Sequence, residues 1–383
     1  MSARKLNTRW MSTIRRICPD LPRTICKTLS AISLAMARAR SSQMSRIALH
    51  LPRATATRTA SALSKQRRIE RFVANDRVDA DEIAARFTLH TLQQVCRRKR
   101  VHLRLMLDET PNGEALRVLK LSLATHGRAI PLLWTTYRTD APPQSVPELA
   151  QALLERFARV LGRLPCKRRP HKVVVTMTTD RGLAWPVLLD FCRARGWHFL
   201  MRVQGQTRIQ LPDETQRRID ELVPQPGARF QAQAKAFKAA GWRPVYVCAH
   251  WPKESKQPWL LISSWPARTW LHAWYRRRMW QEESFRDEKS QGFHWQQSRI
   301  RDPDHAHRLL LALAVAQLWM ISLGHYVQTH GLTRLFERKG RKELSIFQRG
   351  LRFFEYALAN GLAIPTCLHL PRAPLPPPLA SEP

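Results

Sequence analysis

Residues 101–203 carry an ordered succession of strand patterns and helix patterns, and this order limits the chain to a mixed α/β fold. Three strand patterns come first, at 101–107, around the alternating leucines of 119–123 and at 129–137. The last two are separated by His126-Gly127, a turn dipeptide, so they are expected to form a hairpin.

The pattern then alternates between helices and strands. A helix opens at Pro147 and closes near Gly162, and a second helix opens at Pro186. Between them lies the β-branched run 172–178, which is typical of a buried parallel strand, and a fifth strand follows at 199–203. The order β-β-β-α-β-α-β predicts a mixed sheet flanked by helices.

Beyond this core, residues 205–257 are polar and rich in Gly and Pro, which indicates an inserted, mostly β segment. A short strand at 259–263 and one long helix at about 267–291 should follow, and then a helix that is apolar nearly all round at 309–323 and therefore buried. We divide the chain into a helical basic region (1–100), a core (101–325), C-terminal helices (326–365) and a proline-rich disordered tail (366–383).

The net charge of the chain limits the classes of protein to which it can belong. Sixty-four Lys and Arg against 29 Asp and Glu leave a net charge of +35, which is atypical of metabolic enzymes and indicates nucleic acid or an anionic surface as partner. Residues 1–100 hold 22 of the basic residues and only 6 acidic ones. We interpret this region as a phosphate-contacting DNA-binding region, with a solvated basic surface as the alternative.

No membrane or export segment is expected. The apolar stretch 309–323 is shorter than the ~20 residues that cross a bilayer, and no signal-peptide pattern follows the basic start. The seven cysteines form no CxxC motif, so we expect a reducing, cytoplasmic setting and no zinc ribbon.

Two aspartates follow predicted strands. Asp108 is expected to end the first strand, and Asp180 follows the fourth. Chemistry in open α/β sheets gathers beyond the carboxyl ends of strands, and two acids there could share a hard cation. Either residue taken alone is more often the cap of a turn.

The predicted long helix carries a third acid. Tyr275, Arg278, Glu282 and Lys289 stand at offsets 0, 3, 7 and 14, which places all four on one helix face about 60° wide. This spacing selects Glu282 as the acid that shares a face with two cations and a phenol. The alternative is an ordinary ion-pair face.

These residues match a known pattern. The chain resembles the DDE transposases of bacterial insertion sequences, in the group with the signature Y-x2-R-x3-E-x6-K, which reads here from Tyr275 to Lys289. The segments LMLDET, with Asp108, and TTDRG, with Asp180, are similar to the first-acid and second-acid motifs of that family. The β insertion also fits, and the resemblance covers about residues 100–325.

The resemblance implies an RNase H-like core in which the first and fourth strands are neighbours. Asp108, Asp180 and Glu282 would bind two divalent cations, normally Mg²⁺, for which Mn²⁺ can substitute. Arg278, Lys289 and Tyr275 would contact phosphates near the transposon end. Trp259 stands where a similar family tryptophan holds a flipped base. The alternative, that Trp259 is a core aromatic that closes a strand, is at least as well supported.

The expected function is cut-and-paste DNA transposition in the bacterial cytoplasm, in association with the nucleoid. The protein would bind inverted terminal repeats, cut both strands and join the 3′ ends to target DNA as a homodimer. The alternatives are an inactive or repurposed DNA-binding protein and a metal-dependent nuclease without strand transfer. Met279 follows Arg278 where the family often has Trp, and Trp280 comes one position later, so the hairpin route stays open.

Overall fold

The N-terminal part of the chain forms helices whose buried side chains belong to the same hydrophobic core as those of the sheet. The computed structural model describes residues 2–52, 60–165, 172–266, 270–338 and 343–374. The first elements are α1 (Ala3–Ile17), α2 (Arg23–Ala39), α3 (Met44–His50), α4 (Ala62–Val73) and α5 (Ala80–Val95). Asp79 caps α5, because its side chain accepts a hydrogen bond from the Glu82 amide at 2.9 Å.

The central sheet follows the predicted order of elements. It comprises β1 (Arg100–Asn112), β2 (Leu116–Thr125), β3 (Arg128–Arg138), α6 (Val146–Gly162), β4 (Lys172–Thr179), α7 (Pro186–Ala194) and β5 (His198–Arg202). β1, β2 and β3 are antiparallel, whereas β1 pairs with β4 and β4 with β5 in parallel. His126 and Gly127 both have positive φ, which closes the β2–β3 hairpin in the sense that matches strand twist. The expected mixed sheet of the RNase H-like type is confirmed.

The inserted segment extends the same sheet. It supplies β6 (Arg208–Gln210), β7 (Gln216–Arg218), β8 (Arg229–Ala236) and β9 (Arg243–His250), and β10 (Trp259–Ser263) follows it. β10 joins the insertion to β5, and the ten strands run in the order β3-β2-β1-β4-β5-β10-β9-β8-β6-β7. The segment therefore contributes four strands that lengthen one edge of the core sheet.

The prediction of a single long helix at about 267–291 is wrong. The chain forms α8 (Trp270–Arg276) and α9 (Met279–Glu288), with a turn at Arg277-Arg278 between them; residues 267–269 lie outside the described part. The Arg278 amide bonds the Tyr275 carbonyl at 2.8 Å, and the Gln281 amide bonds the Arg278 carbonyl at 2.9 Å. Such i to i−3 bonds tighten the winding. A uniform α-helical angle therefore does not relate Tyr275 to Glu282.

The buried apolar helix is confirmed as α10 (Pro303–Thr329), and α11 (Ile346–Ala359) crosses it. α10 is long and apolar enough to cross a membrane, but 89% of its most apolar window is buried inside the protein, as in a core helix. Its Trp319 stacks on Trp10 of α1 with ring centroids 4.2 Å apart. α10 therefore ties the N-terminal helices to the sheet and to the C-terminal helix.

The C-terminal segment is ordered as far as it is described. The expected disorder does not hold for residues 366–374, in which Leu368 and Leu370 are buried. The His102 amide bonds the Pro374 carbonyl at 2.8 Å, and the Ala373 amide bonds the Val95 carbonyl at 3.0 Å. Residues 375–383, with most of the proline-rich sequence, lie outside the described residues.

Candidate active site

Two of the three candidate acids lie on neighbouring parallel strands. The expectation that Asp108 ends its strand is wrong, because β1 continues to pair with β2 as far as Asn112. The parallel ladder between β1 and β4 does end at the pair Leu107 and Thr179, so Asp108 on β1 and Asp180 just after β4 are the residues that follow this pair. The register therefore brings the two aspartates to the same place on the sheet.

Asp108 is a buried carboxylate, only 5% exposed. Its Oδ1 accepts a hydrogen bond from the Glu109 amide at 2.9 Å. Its Oδ2 accepts one from Arg278 Nη1 at 2.8 Å. Both oxygens are thus held in place, which fixes the direction in which the carboxylate faces.

Asp180 begins the turn that leaves β4. Its Oδ1 accepts hydrogen bonds from the amides of Gly182 at 2.9 Å and Leu183 at 3.2 Å. Among the described residues no hydrogen bond is made by Oδ2 of Asp180, which leaves that oxygen available to a ligand.

Arg278 links the third acid to the first. Its Nη2 donates to Glu282 Oε1 at 3.1 Å while Nη1 holds Asp108. The side chain of Glu282 is 43% exposed, whereas that of Arg278 is only 14% exposed. Asp108 and Arg278 are 170 positions apart in sequence, and the guanidinium group that joins them also holds Glu282.

The electrostatics show that negative charge is concentrated here. Burial raises the pKa of Asp108 to about 7, with Arg278 lowering it and Glu282 and Asp180 raising it further. Burial lowers the pKa of Arg278, but its anionic neighbours, Asp108 first, raise it more. Asp108 is thus a carboxyl whose burial disfavours ionisation even with Arg278 beside it.

The donor chemistry fits a hard divalent cation. Carboxylate oxygens are the ligands that such ions prefer, and a cation beside Asp108 would relieve the repulsion from its two acidic neighbours. In the described part of the chain, no three His, Cys, Asp or Glu side chains are grouped closely enough to hold a metal ion. Arg278 instead provides the positive charge between Asp108 and Glu282.

The other three candidates surround the acids. Tyr275 is 5% exposed, and burial raises its pKa to about 12, with Arg278 and Arg202 lowering it. Trp259, the first residue of β10, packs edge-on against Tyr275 with ring centroids 5.8 Å apart. Its half-buried position suits the reading as a core aromatic at least as well as that of a base-stacking one.

Lys289 follows the last residue of α9 and reaches β1. Its Nζ donates to the hydroxyl of Thr110 at 2.7 Å, two residues beyond Asp108. Burial lowers the pKa of Lys289. The four signature residues therefore lie near one another through tertiary contacts, and the uniform helix face that led to them does not exist.

Sequence reasoning missed the side chains that hold α9 against the sheet. Lys120 of β2 alternates with leucines in a strand pattern, yet its Nζ lies 2.5 Å from Glu288 Oε2 with both side chains under 5% exposed. Arg128 bonds the fully buried Asp287. The run Asp287-Glu288 before Lys289 was the only available signal, and it does not reveal its partners.

A short polar contact completes this anchor. The Ser284 hydroxyl accepts a hydrogen bond from the Ala129 amide at 2.7 Å, and it donates one to the Ala129 carbonyl at 3.2 Å. Burial raises the pKa of Asp287 to about 6, and Arg128 opposes the shift. We call Lys120, Glu288, Arg128 and Asp287 the α9 anchor, because these two ion pairs fix the helix that carries Glu282.

Comparison with known proteins identifies the family. The sequence model of one family, the Transposase DDE domain, matches residues 88–319, which is more than half of the chain and includes Asp108, Asp180 and Glu282. No curated protein matches the sequence. Members of this family act on DNA and generally use divalent metal ions. From the sheet topology, the carboxylates on its parallel strands and the extent of the match, the chain belongs to the DDE transposase family.

Proposed function

We propose that the protein catalyses cut-and-paste transposition of a bacterial insertion sequence of the Y-x2-R-x3-E-x6-K group. One observation carries the proposal: Asp108 and Asp180 are adjacent across parallel strands, and Arg278 joins Asp108 to Glu282. Asp108 and Asp180, which are distant in sequence, thus follow the same pair of the β1–β4 ladder, and Arg278 connects Glu282 to Asp108. Phosphodiester chemistry with divalent cations uses carboxylates of this kind.

In this proposal Asp108, Asp180 and Glu282 are the ligands of two Mg²⁺ ions, with Mn²⁺ as a substitute. When bound, the ions supply activation of the attacking water or 3′-hydroxyl and stabilise the leaving oxygen. Asp108 has to be ionised to act as a ligand, and its pKa of about 7 means that it carries a proton part of the time near neutral pH. Arg278 is suited to hold Asp108 in the charged form.

Arg278, Lys289 and Tyr275 would position the DNA strand. A guanidinium group can hold a phosphate through two parallel hydrogen bonds, and an ammonium group adds a point charge. Lys289 is held by Thr110 on the strand of Asp108, so its charge lies beside the acids. Trp259 packs against Tyr275, so it would stack on a base only through a face of its ring that Tyr275 does not cover.

The basic N-terminal helices are the proposed site for the inverted terminal repeats. Residues 1–100 have an excess of 16 positive charges, from 22 basic and 6 acidic residues, and many phosphate contacts would follow. β1, the first strand of the core, begins at Arg100. Target DNA would be held by the core, and the protein would work in the bacterial cytoplasm in association with the nucleoid.

Homodimerisation on paired DNA ends is part of the proposal. Six large hydrophobic side chains are exposed in the described residues, and three of them, Leu335, Tyr356 and Leu362, lie in the C-terminal part of the chain. An apolar surface of this kind suits contact with a second copy. The C-terminal helices are therefore the proposed dimer contact.

The test is incubation of the protein with linear DNA that carries the cognate ends and Mg²⁺. Excised ends together with joined product are expected. Cleavage without joining would indicate a nuclease, and retarded but uncut DNA would indicate an inactive DNA-binding protein. EDTA should stop cutting, and Mn²⁺ should restore it.

Variants connect the reaction to the acids. Asp180→Ala and Glu282→Ala should abolish cutting while the DNA is still retarded in a gel, because binding depends on the basic residues. Glu355→Ala is the matched control, since this exposed acid pairs only with Arg40 on the surface among the described residues. Cutting that survives in both active-site variants would contradict the assignment.

A further inference from the structure

A cavity of about 310 Å³ lies on the sheet, separate from the three acids. Its walls come from the start of β1, the end of β2 with its turn, the junction of α8 and α9, and the C-terminal segment. The side chains that argue for a ligand are three arginines, two histidines and one tryptophan: Arg104, Arg277, Arg372, His102, His126 and Trp280. We call this the arginine cavity.

The arginine cavity holds positive charge without a counter-charge. None of the residues that line it is Asp or Glu. The ion pairs formed within the described residues include none of Arg104, Arg277 and Arg372. Three guanidinium groups around one concavity repel one another and attract an anion, and arginine favours phosphate.

The cavity also offers flat surfaces for a base. The Arg277 guanidinium lies over the Trp280 ring at 5.6 Å, and that of Arg104 lies over the Trp274 ring at 4.6 Å. Aromatic rings and stacked guanidinium groups are the platforms on which proteins hold unpaired bases. A volume near the lower limit of ligand pockets admits one nucleotide and excludes a duplex.

Two arginines of the cavity lie close to the candidate active site. Arg104 and Arg277 also line a narrow crevice that reaches Arg278, which holds Asp108. Arg104 lies four residues before Asp108 on β1, so both side chains share one face of the strand, roughly 13 Å apart. A DNA strand that leaves the acids along this face would meet the arginines.

We propose that the arginine cavity binds one nucleotide of a single DNA strand that continues from the cleavage site, with its phosphate on Arg104, Arg277 and Arg372 and its base against Trp280. The inference rests on the proposed function, because it takes the strand to be the substrate of Asp108 and its neighbours. The C-terminal segment has a role in this site, since Arg372 belongs to it.

Binding to a fluorescein-labelled single strand of roughly eight nucleotides tests the proposal by anisotropy, in EDTA and at raised salt. Arg104→Gln and Arg372→Gln should each weaken this binding by about tenfold, as expected for a lost charge-assisted contact. Arg352→Gln on α11 removes the same charge from an exposed position and should change it little. Equal affinities in the three variants would overturn the proposal.

Crosslinking of the wild-type protein locates the strand directly and does not depend on how any variant folds. With a strand that contains 5-iododeoxyuridine, irradiation should attach the DNA to the peptide that carries Trp274 and Trp280. Crosslinks confined to the N-terminal helices would refute the cavity as the binding site.

These measurements are independent of cutting, because EDTA removes divalent cations. Suppose that Arg104→Gln and Arg372→Gln weaken strand binding but the wild type never cuts cognate ends. The proposed function then fails, while the arginine cavity is still shown to bind a single DNA strand. If the wild type cuts and joins the ends while cavity variants bind the strand normally, only the inference about the cavity fails.

Discussion

Removing one partner of the buried pair Lys120–Glu288 should destabilise the protein strongly. The two charged atoms lie 2.5 Å apart, and the side chains are 3% and 4% exposed. In Glu288→Leu the Lys120 ammonium stays buried without its counter-charge, which costs about 3–5 kcal/mol of the free energy of unfolding. The double variant Lys120→Met/Glu288→Leu removes both charges and should lie within about 1 kcal/mol of the wild type.

Urea unfolding followed by tryptophan fluorescence measures these differences as shifts of the midpoint. The matched control is Glu355→Leu, which breaks a pair with Arg40 whose side chains are 43% and 45% exposed. It should cost less than about 1 kcal/mol, because solvent screens both charges. A Glu288→Leu effect no larger than this control, or a double variant as unstable as the single one, would refute the reasoning about the α9 anchor.

Other perturbations test different parts of the structure. The pKa of Asp108 is raised from 3.8 to about 7 in the folded protein. Between these two pH values the folded protein therefore binds more protons than the unfolded chain. The free energy of unfolding of the metal-free protein should fall as pH rises from about 4 to about 7, by up to about 4 kcal/mol. Asp108→Asn should flatten this dependence in thermal melts at several pH values, and an unchanged slope would contradict the cause. Gly350→Ala should prevent accumulation of folded protein in expression trials, because its Cβ would lie 1.8 Å from the Met320 carbonyl oxygen; normal yield and melting would show that the helices separate easily. Trp10→Ala should cost about 3–5 kcal/mol in urea unfolding, since it removes a fully buried ring stacked on Trp319, and a loss under about 1 kcal/mol would mean that the N-terminal helices fold independently.

Much of the fold could be predicted because its patterns are local. The β-branched run of β4, the turn residues His126-Gly127 and the proline that opens α7 each constrain their own stretch of backbone. The order of strands and helices then leaves few ways to build one sheet. Asp180 was placed correctly for this reason, since it directly follows a strand whose limits are evident from the sequence.

Where the local pattern was misleading, neighbours in space were responsible. A period of 3.6 residues predicts a continuous helix through Arg278, but the chain turns there while the guanidinium bonds both Asp108 and Glu282. Lys120 alternates with leucines as a solvent-facing residue would, yet α9 covers that face of the sheet. The sequence of one segment does not specify which other segment will pack against it.

The amino-acid sequence by itself therefore determined the order of strands and helices from β1 to β5, the basic character of the protein and the three candidate acids. Only the tertiary structure decided that Asp108 and Asp180 are adjacent, that Lys120 meets Glu288 across 168 residues, and that three arginines surround one cavity. The physical reason is that backbone preferences act within a few residues, whereas burial and pairing of charge depend on packing between elements that are distant in the chain.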